Sequence, residues 1–174
     1  MSTKRRFGLV ALGLFAVCGT VSLAAGAEKT VNEKVRDVYH VVKAEVMQVG
    51  DVPGHVVGIF DASGLGFNMD TGEVCNYSGK VFFDLTNGTG PHQGYATNTC
   101  EGGKSFAQVK GVTTAHPDGT STVEGTFVYT GGTGQLSGIK GGSSYTGKRL
   151  APLTPGGAAD SFTDVVGTHT LPSQ

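Results

Sequence analysis

Tryptophan is absent from the 174-residue sequence, and that absence decides nothing about function. Charge is scarce and balanced, with 13 Lys and Arg against 14 Asp and Glu. No run of basic residues follows Arg6, so the chain lacks the electrostatic footprint of a nucleic-acid binder. The five histidines show no HxH or HxxxH spacing and the cysteines no CxxC, which argues against a metal site. No GxSxG elbow is present to carry a serine nucleophile. Gly131-Gly132-Thr133-Gly134 is not a phosphate loop, because no Lys-Ser pair and helix follow it. Nothing in these patterns calls for a cofactor.

Long apolar runs are also missing, with one exception. Lys4, Arg5 and Arg6 precede a mostly apolar stretch from Phe7 to Leu23, and Ala25-Gly26-Ala27 supplies small residues for cleavage. This layout predicts a bacterial-type secretory signal peptide over residues 1–27 and a periplasmic or secreted mature protein. The alternative, a retained membrane anchor, needs a longer apolar core. Cys18 would suggest a lipoprotein, but Val17 before it is bulkier than the residue usual there. Residues 28–174 are then a single domain with no stable membrane insertion, large enough to fold on its own core. Cys75 and Cys100 remain in it, which predicts one disulfide in an exported protein, worth roughly 3 kcal/mol by chain-entropy reasoning. A catalytic thiol is the competing reading, and no histidine lies beside either cysteine.

What the chain has in abundance is glycine, 29 residues, spaced with other turn signals every eight to fifteen positions or so. Between them lie β-patterned runs. Val38, His40, Val42, Ala44 and Val46 share one face of a first strand, with Tyr39, Lys43 and Glu45 on the other. A helix over residues 34–49 would fit less well, given its β-branched valines. A second strand spans 55–61, followed by a loop through 64–68. A third spans 73–85, with Cys75, Tyr77, Val81 and Phe83 on one side. Residues 93–100 and 104–114 form a hairpin, 122–130 and 143–150 flank the glycine stretch, and a last strand covers 161–171. The expectation is an all-β fold of about eight antiparallel strands closed into a barrel, which removes exposed sheet edges.

Gly131-Gly132-Thr133-Gly134-Gln135-Leu136-Ser137-Gly138 reads as a tight turn within a curved sheet. It resembles the glycine signature of the allene oxide cyclase and dirigent protein barrels. The order of features from Gly72-Glu73-Val74 through Gly94-Tyr95-Ala96 to Lys110-Gly111 is similar to the same family. The resemblance implies an eight-stranded, calycin-like barrel whose largely apolar cavity steers a reactive compound to one stereochemical product. Members often form trimers or dimers, so a homo-oligomer is expected. Glu73 corresponds only in position to the family's catalytic glutamate, so activity is not carried over.

With the apolar strand faces inward, His40 and Tyr77 are the candidate catalytic groups. His55, Tyr129 and Tyr145 are the candidate ligand-binding groups, because a few convergent hydroxyls and imidazoles orient a small molecule in an apolar cavity. Tyrosines plugging a barrel end, and a hydrogen-bonded inert His40, are the competing readings. The function expected is a cyclase, isomerase or stereocontrolling enzyme acting on a small hydrophobic compound, aromatic ones included. The alternatives are a non-catalytic carrier of such a compound and a barrel packed solid.

Overall fold

The computed structural model describes residues 28–154 and 159–172. The expected leader, residues 1–27, lies outside the described residues. The described chain forms eight strands: β1 (Lys29–Gln48), β2 (His55–Asn68), β3 (Val74–Thr86), β4 (Gly90–Cys100), β5 (Gly103–Ala115), β6 (Ser121–Gly132), β7 (Lys140–Arg149) and β8 (Asp160–Leu171). Each pairs antiparallel with its neighbour in sequence, and β8 returns to β1, so the sheet is a closed barrel. The expected fold class therefore holds.

β1 departs from simple alternation. Val41 pairs with Ala62 and Lys43 with Asp61, so Val42 is an extra residue that bulges out of the ladder. A bulge switches the inward parity. Before it Asp37, Tyr39 and Val41 point inward; after it Ala44 and Val46 do. The single valine face expected from Val38 to Val46 is thus two half-faces, and Val38, His40 and Val42 lie on the outer wall.

β2 also runs further than expected, because residues 64–68 continue the strand instead of forming a loop. Gly64 pairs with Tyr39 and Gly66 with Asp37. A Cβ on Gly64 would stand 2.1 Å from Val38 O, and one on Gly66 2.7 Å from Asp37 Oδ1. These glycines give β1 room to turn its large polar side chains into the barrel.

The two barrel ends differ. At one end, where β1 finishes and β2 begins, Val41, Ala44, Phe60, Phe83, Leu85 and Ala159 pack into an apolar plug. At the other end Cys75 of β3 and Cys100 of β4 are joined by the expected disulfide. The glycine stretch lies at the rim of this end. A bulge at Thr130 precedes it, Gly134 and Gly138 adopt the left-handed conformation, and a short 3-10 turn covers Gly134–Leu136. Gln135 N donates to Gly102 O at 2.8 Å, tying the turn to the β4–β5 connection.

Candidate functional site

The barrel is hollow between the plug and the disulfide end. An inner chamber of about 70 Å³ adjoins an outer one of about 150 Å³, with Asn98, Ser105 and Tyr129 in both walls. The exposed Glu73 and Gln135 line the outer chamber, so it opens at the disulfide end. The inner chamber stops against Phe60 and Val81 of the plug. Together they form a blind pocket, smaller than the 300 Å³ or more typical of drug-sized sites, which limits an occupant to a small compound.

Aromatic and aliphatic side chains make the walls, and a few polar groups interrupt them. Tyr39 and Tyr77 pack with their rings tilted by 30° and their centroids 5.2 Å apart. Burial raises both hydroxyls above the ordinary tyrosine range, so both stay neutral. On the facing wall His92 Nε2 lies 2.6 Å from the Tyr145 hydroxyl, and Nδ1 lies 3.0 Å from Thr113 Oγ1. Gly111 and Gly125 make this pair possible: a Cβ on either would stand within 2.6 Å of the Tyr145 hydroxyl. Burial, then the charge of Arg149, pushes His92 down to about 4, so near neutrality its ring links Thr113 to Tyr145 as an uncharged relay.

Two acids sit toward the mouth. Glu33 accepts hydrogen bonds from the Tyr129 hydroxyl and from Ser143 Oγ at 2.9 Å, and His169 Nδ1 stands 3.7 Å away. Burial alone would raise its pKa, but these partners hold it below the usual value. Asp37 lacks such help. It is 6% exposed, and its Oδ1 has no hydrogen-bond partner. Burial first, then repulsion from Glu33, lifts it to about 7. Asn98 Oδ1 is likewise buried without a partner. At the closed end Arg149 lines the inner chamber, its guanidinium carbon 5.6 Å from the Phe60 ring centroid.

Three expected site residues, Tyr77, Tyr129 and Tyr145, meet in the inner chamber. The two histidines do not. His40 points outward, and its Nδ1 pairs with Asp160 at 2.8 Å on the barrel surface, because the Val42 bulge reverses the expected parity. His55 sits at the plugged rim between Asp51 at 2.6 Å and Asp84 at 2.8 Å, away from the cavity. Glu73 stands at the mouth of the outer chamber. Glu73, Cys75 and Cys100 lie close together, but the disulfide removes both thiolates as metal ligands.

The reading from sequence passed over Asp37, Tyr39, His92, Arg149 and Glu33. Two signals were present. Arg149 shares strand parity with Tyr145, four residues before it. Tyr39 and Asp37 face glycines on the neighbouring strand, the arrangement expected where large side chains turn inward.

Comparison with protein-family models finds no match, and comparison with curated proteins finds none either. Among solved structures the chain is similar to the pterocarpan synthase dirigent protein, at 13% identity and a TM-score of 0.44, over 91% of this chain and 98% of that one.

Proposed function

We propose that the barrel holds one small, mainly apolar compound about the size of an aromatic ring and catalyses its isomerisation or cyclisation by proton transfer in the blind pocket. The carrying observation is Asp37: a buried carboxyl with an unpartnered oxygen, facing the cavity, with a pKa of about 7. Such a group is half protonated near neutrality, where an acid or base works best. In the proposed step Asp37 gives its proton to one atom of the bound compound and recovers one from another. Bonds within the compound shift, and no co-reactant is consumed. Tyr77 and Tyr39 would form an aromatic wall, while Tyr145 and Tyr129 would orient polar atoms. The proposal needs no cofactor, and it assigns no role to His40 or His55.

A carrier without turnover is the second reading. The hydroxyls of Tyr129 and Tyr145 are already hydrogen-bonded within the protein and are held far from ionisation, which suits binding more than acid catalysis. Product analysis separates the two. Enzyme should convert a bound compound with an excess of one stereoisomer, and Asp37→Asn should lower turnover at least about a hundredfold while binding persists. Unchanged turnover in Asp37→Asn would remove Asp37 from the chemistry; release of every bound compound unaltered would favour the carrier.

Export of the mature chain from near Glu28 is also a proposal. The disulfide is in keeping with an oxidising compartment, and among the described residues no helix is long and apolar enough to cross a membrane.

A further inference from the structure

Arg149 is 6% exposed, and its guanidinium lines the blind end of the inner chamber. Its surroundings explain how it gets there. Arg149 ends β7 opposite Ser121 of β6 and Ser161 of β8, on the inward face with Tyr145. Phe60 from the plug lies under the guanidinium at cation–π distance.

Every other arginine or lysine with a close ionic partner reaches it on the surface, as Arg36 does with Asp164 and Lys80 with Asp61. Among the described residues, no carboxylate lies within ion-pair distance of Arg149, and no protein group accepts a hydrogen bond from it. Asp37, which lines the same chamber, does not reach it. The neighbours that feel its charge are Tyr39 and His92, both neutral. A buried guanidinium carries five donors and cannot shed its proton, so burying it without a countercharge is unfavourable. That cost turns into affinity for whatever anion enters the site.

We infer that the compound held in this barrel is a small monocarboxylic acid, whose carboxylate docks on Arg149 at the blind end and whose apolar body lies against Tyr39, Phe60 and Tyr77. The inference rests on the proposed ligand-binding role of the chamber and adds the chemical class. A planar carboxylate matches the guanidinium fork. Arg149 is the one cation in the chamber wall near neutrality, His92 being uncharged there, so it balances one negative charge and leaves a phosphate undercompensated. The size of the chamber restricts the body to about one ring and a short chain. With the carboxylate fixed there, the other end of the compound extends from the blind end toward the mouth, where Asp37 and Asn98 hold their unpartnered oxygens.

The test uses three near-isosteric probes: 3-phenylpropanoate, 3-phenylpropanamide and 3-phenylpropylammonium. Binding to the purified protein is followed at neutral pH by tyrosine fluorescence and calorimetry. With no tryptophan present, and with Tyr39, Tyr77, Tyr129 and Tyr145 in the chamber wall out of five tyrosines, the intrinsic signal reports on the cavity. The acid should bind at least about tenfold tighter than the amide, and the ammonium weakest. Arg149→Gln should abolish the preference of acid over amide while the amide still binds, and Arg149→Lys should keep part of it. Arg149→Gln should also melt no lower than the parent, since it removes a buried charge that has no ionic partner among the described residues. Equal binding of acid and amide by the parent, or an acid preference that survives in Arg149→Gln, would overturn the carboxylate inference and leave the chamber reading intact. Failure of all three probes to bind would count against both.

Discussion

Asp37 and His92 face the same chamber and respond to pH in opposite directions. The Asp37 carboxyl, near 3.8 in an unfolded chain, is raised to about 7 by burial and by Glu33. Between those values the folded protein keeps a proton that the unfolded chain has lost, so this group's contribution to stability falls as pH rises. His92, depressed from 6.5 to about 4, acts the other way: its contribution is present above 6.5 and is lost as pH falls toward 4. The two slopes oppose each other over the mildly acidic range. Asp37→Asn should therefore expose the acid-side loss due to His92 and stabilise the protein at about pH 8, by up to roughly 4 kcal/mol for a shift near three units. His92→Gln should leave a profile that declines steadily as pH rises toward 7. Urea unfolding of the three proteins across about pH 4 to 8 measures this; parallel profiles would contradict the assigned environments. Tyr77, Tyr129 and Tyr145 were legible from strand alternation, as where Tyr77 keeps parity with Val81 and Phe83; Tyr39 was not, because the bulge at Val42 reverses the parity of its half-strand. The charged chamber residues were not, because a buried arginine or aspartate looks like any surface charge until the opposing strands are in place.

The bulge in β1 decides which residues enter the barrel. One extra residue, Val42, 58% exposed on the outer wall, separates the half-strand that supplies Asp37 and Tyr39 from the half that supplies Ala44 to the plug. Its side chain has little to do there, so Val42→Ala should change stability by no more than about 0.5 kcal/mol. Deleting Val42 is different. A slip of one residue moves every side chain of a half-strand to the opposite face, so either Asp37 and Tyr39 leave the cavity or Ala44 leaves the plug. The deletion should abolish cooperative unfolding or shift its midpoint far below that of Val42→Ala, and circular dichroism melts compare the two directly. A deletion protein as stable as the parent would show that β1 does not depend on its register. The strand count and most turns were readable, since glycine-rich turns separate short alternating runs. The bulge was not, because either parity of β1 shows enough valines to pass for the apolar face. The continuation of β2 was hidden for a related reason: Gly64 and Gly66 suggest a loop, yet they serve as clearance for Tyr39 and Asp37.

At the scale of the whole molecule, closure of the sheet and the asymmetry of its ends produce the candidate function. One end is filled by Phe60, Phe83 and Leu85, and the other leads past the disulfide into the chambers. A barrel packed solid would need large side chains at Ala96, Ala107 and Ser105, where the chain has small ones that leave the chamber open. The outer wall carries exposed Val38, Phe82, Tyr95, Val128 and Val166. The glycine turn between β6 and β7 was legible as shape. The cavity it overlooks depends on which residues fail to fill the interior, and that can be judged only once all eight strands are aligned.

The most direct test of a ligand-holding barrel is native mass spectrometry of the protein purified gently from its source. One small, acid-bearing organic compound per barrel is expected, released on unfolding, with the subunit number read from the same spectrum. A spectrum of bare protein that stays bare after incubation with small aromatic acids and their amides would contradict it.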